Sequence, residues 1–403
     1  MLPGKTNNPK GFVGNRFHSY VNSAVAILKL YHGNEPFHQF IKKYFSTNKK
    51  FGSKDRKQIS SLCYNHFRLG NAVKNISSEE RIVLATFLCE NQSSDFLKTL
   101  KPQWNDLVEK PMKEKLSVVS SQFSIENIFA YKDELSEGVE AEKFNASFLI
   151  QPDLFLRVRP GNDKRVAGKL AGAGVSYKSI NENCITLPNS SKINDALELD
   201  KEAVVQDYNS QKIASFIQLK PKNNKQPTVW DCCAASGGKS IMAYDINPNI
   251  ELTVSDKRES ILENLKKRFA LAEIKKYHSF IADLSTDSWQ KETKKFDLII
   301  CDAPCTGSGT WARTPEQLFF FKKDSIEKYA ALQNKIIENI VPHIKPGGHL
   351  LYITCSVFKK ENEDVAKYVA EKCKLKLKKS KVLKGYETKS DTMFAALFTA
   401  PLS

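Results

Sequence analysis

The stretch T228-V-W-D-C-C-A-A-S-G-G-K-S240 decides the fold. Four residues of strand character run straight into a loop of small residues, and the loop opens a helix. The same alternation continues to the C-terminus, with strands expected at 251–255, 277–282, 296–301 and 348–354. Strands alternating with helices are the signature of a mostly parallel α/β sheet. The segments 374–383 and 393–399 alternate or run apolar and close the pattern as an antiparallel pair.

In such a sheet, ligands bind beyond the carboxyl ends of the strands near the switch point. The loop after 231 matches neither GxGxxG nor GxxxxGK[ST], which argues against a dinucleotide or a nucleoside triphosphate. Its small residues let the backbone approach a ligand closely. Asp256 ends the second strand, where a carboxylate can accept both ribose hydroxyls, and Asp283 follows the third, within reach of an adenine edge. Acids at successive strand ends suit a nucleoside cofactor lacking an anionic phosphate tail, namely S-adenosylmethionine.

The run I299-I-C-D-A-P-C-T-G-S-G309 follows the fourth strand, and Y352-I-T-C-S356 ends the fifth. If these strands are neighbours, about 5 Å apart, Cys305 and Cys355 face one pocket beside Asp302. Cys301, inside the strand, reads as core. Two thiols at adjacent strand ends opposite a cofactor loop point to covalent catalysis on a pyrimidine. Carbon 5 of that ring is too weak a nucleophile to take a methyl group unaided. A thiolate added to carbon 6 makes it enamine-like, an acid must meet the ring edge, and a base must later remove the carbon-5 proton.

The remaining chain is organised in two further parts. Residues 1–135 read as helical: Ser53 caps a helix with Asp55 in its first turn, and Ile59, Leu62, Cys63 and Phe67 form one buried stripe. His18, His32, His38 and His66 show no metal-ligand spacing. Residues 136–222 read as a small α+β unit, with Arg157 and Arg159 on one strand face. The chain carries 61 basic against 45 acidic residues, net +16, and residues 1–70 hold 12 Lys/Arg against 2 Asp/Glu. That imbalance points to a polyanionic partner, nucleic acid foremost. The lack of acids before Glu35 also permits a transit peptide, against which 21–30 reads as the first helix of a domain. The nine cysteines lack paired CxxC motifs, so no metal site is expected, and their scatter fits the cytoplasm. No apolar run approaches the length of a membrane span.

Taken together, V205-Q-D-Y-N-S-Q211, D231-C-C-A-A-S-G-G-K239, D302-A-P-C-T-G-S-G309 and Y352-I-T-C-S-V-F-K-K-E-N-E363 resemble the RNA cytosine-5 methyltransferases of the bacterial RsmB type. L332-Q333 and K345-P-G-G348 stand where that family has them. The resemblance implies a Rossmann-like SAM-dependent methyltransferase domain at 223–403. It implies a ferredoxin-like α+β subdomain at 136–222 and, more weakly, an all-α NusB-like RNA-binding domain at 1–135. It makes Cys355 the nucleophile, Cys305 the group that assists release, Asp302 the contact to the cytosine edge, and Lys239 a neighbour of the reacting centre. Cys233, Ala234, Ala235, Ser236, Gly237, Gly238, Lys239, Asp256, Arg258, Asp283 and Asp302 are the implied cofactor residues. Ser236 replaces the usual proline, Ile353 a common serine, and S390-D-T-M-F394 lacks an expected glycine.

The expected substrate is RNA, ribosomal RNA ahead of transfer RNA, and the expected form a monomer. A DNA cytosine methylase would take its nucleophile from the Pro-Cys motif and would not need Cys355. A non-catalytic RNA-binding assembly factor predicts loss of Cys305, Cys355, Asp302 or Lys239, and all four are present.

Overall fold

The computed structural model describes residues 10–121, 123–219, 225–286 and 294–402, with side chains from residue 16 onward. The chain forms two compact units. One takes in residues 1–132, 140–151 and 311–322; the other takes in 133–139, 152–310 and 323–403. The boundary expected at 222/223 falls in 220–224, outside the described residues.

Among the described residues, eleven strands follow in chain order. β1 (Leu154–Val158), β2 (Lys178–Asn181), β3 (Cys184–Leu187) and β4 (Ala203–Val205) form a four-stranded antiparallel sheet. Its order β2-β3-β1-β4 is that of a ferredoxin-like unit, with one helix, Asp163–Gly172, after β1. Arg157 and Arg159 both reach Asp245, as residues two apart on one face should. The exposed β2 and the three-residue β4 were not foreseen, because neither carries an apolar alternation.

The larger sheet contains β5 (Thr228–Asp231), β6 (Glu251–Asp256), β7 (His278–Ile281), β8 (Phe296–Asp302), β9 (Ile344–Thr354), β10 (Lys376–Leu383) and β11 (Met393–Thr399). The order is β10-β11-β9-β8-β5-β6-β7, with β9 to β7 parallel and β10 and β11 antiparallel. The switch point lies between β5 and β8. Alternate residues bury on opposite faces, as a strand period of two requires. Val229, Ile300 and Leu351 pack with Leu265 and Phe269 of helix Glu259–Leu271. Trp230, Ile299 and Tyr352 pack with Ile336 and Ile337 of helix Asp324–Ile340. The result is the three-layer, Rossmann-like architecture expected.

The helical unit holds Lys10–Leu30, Phe37–Thr47, Ser53–Arg68, Ser78–Cys89 and shorter helices to Met112–Val119. Ile59, Leu62, Cys63 and Phe67 are buried in one stripe. Ser53 is the first helical residue rather than the cap: the cap position is Gly52, whose N–H donates to Asp55 at 3.0 Å. The unit is completed by segment 311–322, which carries helix Pro315–Phe320. There Phe320 stacks edge-on against Tyr31, Phe319 against Phe67, and buried Arg68 donates to the carbonyls of Phe148 and Ala312. Among the described residues no helix is long and apolar enough to cross a membrane.

Candidate active site

Five strand ends converge on one cavity of about 520 Å³. Its wall includes Cys233 and Ala235 after β5, Asp256 and Arg258 at β6, Asp283 after β7, Asp302 and Cys305 at β8, and Cys355 after β9. Helix Asp324–Ile340 supplies Tyr329, Leu332 and Ile336. Ala234, Ser236, Gly237, Gly238 and Lys239, expected at the cofactor, are not part of this wall.

The first loop is tightly set. Ala234 N–H donates to the Ser255 carbonyl and Ala235 N–H to Asp256 Oδ2 at 3.1 Å. Gly237 has φ +85°, and a Cβ there would lie 2.8 Å from the Phe269 ring, so only glycine fits. Ser236, at the position where proline was expected, is held by Arg268, which donates to its carbonyl at 2.8 Å and its hydroxyl at 2.9 Å. Arg268 in turn pairs with Asp200 at 2.6 Å.

Burial alone would raise the Asp256 carboxyl, but hydrogen bonds from Arg258 and the backbone N–H groups of Arg258 and Ala235 hold it below its usual value. The Ser285 hydroxyl does the same for Asp283. Both acids are therefore ionised acceptors on the cavity wall. Buried Asp231 behaves oppositely: desolvation pushes it up to about 7, against one hydrogen bond from Ser240.

Lys239, in the first turn of helix Gly238–Ile246, sends its Nζ to Asp302 Oδ2 at 2.9 Å and to Ser210 Oγ at 2.8 Å. The lysine is buried and the aspartate about one-third exposed, so the acid meets the cavity while its counter-charge stays behind.

The parallel pairing of β8 and β9 brings Cys305 Sγ to 3.2 Å from Cys355 Sγ. The hydrogen bond to Cys355, with burial, pushes the Cys305 thiol well above its ordinary range. Cys305 is thus held protonated beside the Cys355 sulfur.

Two loops must be held in register for that contact, and buried Glu361 holds them. Its carboxylate accepts from Thr306 N–H at 2.9 Å, the Thr306 hydroxyl at 2.6 Å, the Ser356 hydroxyl at 2.6 Å and Gln333 Nε2 at 3.1 Å. Burial pushes its carboxyl up against these hydrogen bonds. At Gly309 the backbone donates to the Cys355 carbonyl at 2.8 Å, and a Cβ there would lie 1.9 Å from the Thr392 carbonyl oxygen. Ser210 and Glu361 were not singled out in the sequence. Their only signal is membership in the VQDYNSQ and TCSVFKKENE stretches.

Residues 216–398 match the family described as 16S rRNA methyltransferase RsmB/F. Over 186 residues the chain is 36% identical to the ribosomal RNA small subunit methyltransferase B of Shewanella oneidensis, covering 45% of this chain and 41% of that protein. The chain thus spans less than half the length of that curated relative. Its fold is similar to the crystal structure of PH0851, with TM-score 0.66 at 18% identity over 98% of this chain and all (100%) of that one. It is also similar to NSun6 of Pyrococcus horikoshii, solved with SFG, with TM-score 0.55 at 16% identity over 65% and 94% of the two chains. Residues 216–398 are thus similar to the methyltransferases of the RsmB/F family, and their fold is Rossmann-like.

Proposed function

We propose that this protein methylates carbon 5 of a cytidine in RNA, ribosomal RNA foremost, through a covalent adduct of Cys355 at carbon 6. The observation that carries the reading is the 3.2 Å contact between Cys305 and Cys355 at adjacent strand ends, beside the Lys239–Asp302 pair. The family description and the name of the Shewanella relative support a ribosomal RNA substrate.

S-adenosylmethionine, when bound, supplies the methyl group. The cavity suits it: Asp256 and Asp283 are ionised acceptors placed for ribose hydroxyls and an adenine edge. SFG, carried by the NSun6 structure, is an analogue of that cofactor. Cys355 adds to carbon 6, carbon 5 takes the methyl group, and loss of the carbon-5 proton with cleavage of the Cys355–carbon 6 bond restores the ring. Asp302, steadied by Lys239, hydrogen-bonds the cytosine edge as charge develops there. Cys305 holds a proton next to Cys355 and assists release of the product. The basic helical part at 1–135 and the small sheet at 136–222 serve RNA binding, the part at 223–403 catalysis. The protein acts as a cytoplasmic monomer.

The test is a pair of variants assayed with labelled S-adenosylmethionine and ribosomal RNA. Cys355→Ala abolishes transfer, and Cys305→Ala accumulates an RNA–protein adduct that survives denaturation. Normal turnover in Cys355→Ala sinks the nucleophile assignment, and absence of any trapped adduct sinks the division of labour.

A further inference from the structure

We infer that Cys232, Cys233 and Cys301 form a binding site for a thiolate-seeking divalent cation of the zinc class, set into the wall of the cavity. The three sulfurs lie within 4.8 Å of one another. Neither Cys305 nor Cys355 belongs to this group.

The sheet builds the cluster. β5 and β8 are parallel neighbours, and Cys232 N–H donates to the Ile300 carbonyl at 2.9 Å, which sets Cys232 beside Cys301. In a continuing strand Cys232 and Cys233 would point to opposite faces. The chain turns immediately after Asp231, and both thiols converge on the third. No spacing rule reveals such a site, because its donors come from two strand ends far apart in sequence. This is why the absence of paired CxxC motifs did not exclude it.

Tetrahedral zinc with Zn–S of about 2.3 Å needs sulfurs about 3.8 Å apart, so closure asks for a contraction of about 1 Å or less. Three sulfurs and no oxygen donor select zinc-like ions over magnesium or calcium. As each sulfur–metal bond forms, its thiol gives its proton to solvent. Three protein ligands leave one coordination position open, the arrangement of a site that exchanges ligands rather than one that only braces a fold. Cys232 and Cys233 both line the cavity, so the open position faces it. A bound ion therefore narrows the space assigned above to the cofactor. That last consequence rests on the proposed function; the metal site does not.

The experiment uses the full chain, reduced, freed of metal by chelation and titrated anaerobically with Co²⁺ alone. One equivalent should bind with a thiolate-to-cobalt charge-transfer band and proton release. The double variant Cys305→Ser/Cys355→Ser should keep that band. Cys301→Ser should weaken binding about 100-fold or more. Because Cys301 is fully buried, half-buried Cys233→Ser gives the same readout with less risk to folding, checked by thermal melts. Absence of the band in the wild type, its persistence in both single variants, or its loss in the double variant overturns the site. Calorimetry with S-adenosylmethionine then separates the two readings. Weaker cofactor binding when Zn²⁺ is present supports the narrowing, and unchanged binding overturns it. No cofactor binding in the metal-free protein counts against the proposed function and leaves the metal site standing.

Discussion

The Glu361 carboxylate accepts both the backbone N–H and the hydroxyl of Thr306, so one buried acid at the far end of one loop holds the loop that carries Cys305. Glu361→Ala orphans Thr306, Ser356 and Gln333 together. It should cost about 2–4 kcal/mol in denaturant unfolding. The larger effect should be on kcat, since the two sulfurs lose their register, with KM for RNA little changed. Glu361→Gln, which keeps the shape and part of the bonding, should recover most of the stability. Equal losses from both substitutions would contradict this role.

Lys239→Met removes the counter-charge of Asp302 and the partner of Ser210. Methyl transfer should fall about 100-fold, with the fold retained by circular dichroism. A variant with normal kcat would place Lys239 outside the chemistry.

Asp231 gives stability a pH dependence of unusual sign. Its folded pKa is raised from 3.8 to about 7, so the native chain holds a proton that the unfolded chain has released. The contribution is fully present below about pH 4 and is lost as pH rises to about 7. Urea midpoints of Asp231→Asn should lack this falling limb. An identical pH profile in the variant and the wild type would show that Asp231 is ionised throughout.

Removing residues 1–135 should not yield a soluble catalytic fragment. Helix Pro315–Phe320 stays behind, stripped of the Tyr31 and Phe67 rings that Phe319 and Phe320 pack against. Light scattering should show aggregation, relieved when the truncated chain also carries Phe319→Ser and Phe320→Ser. A monodisperse truncation without those changes would contradict the packing argument.

Much of the sheet was legible because its strands are short apolar runs bounded by turn residues. The expected segments at 228–231 and 393–399 coincide with β5 and β11. β9 begins at Ile344, earlier than read: K345-P-G-G348 has the composition of a turn, yet Ile344 pairs with Phe296 of β8, and Gly347 and Gly348 hydrogen-bond to Pro401 and Ala400. The meeting of Cys305 and Cys355 followed from placing both at strand ends. Glu361 could not be found that way. Its importance arises from burial and from three partners, two of them (Thr306 and Gln333) contributed by other segments, quantities that exist only after folding.

Residues 1–132 and helix Pro315–Phe320 belong to one compact unit, yet the whole of 133–314 is made between them. At ordinary translation speeds about 10–40 s separate the appearance of residue 132 from that of residue 322. Throughout that interval the backbone at Gly33 and Gly70 lacks Phe320 and Leu318, the side chains that later press against it. The segment synthesised first is therefore among the last to be finished, and a nascent chain stalled before residue 322 offers chaperones an open aromatic seam.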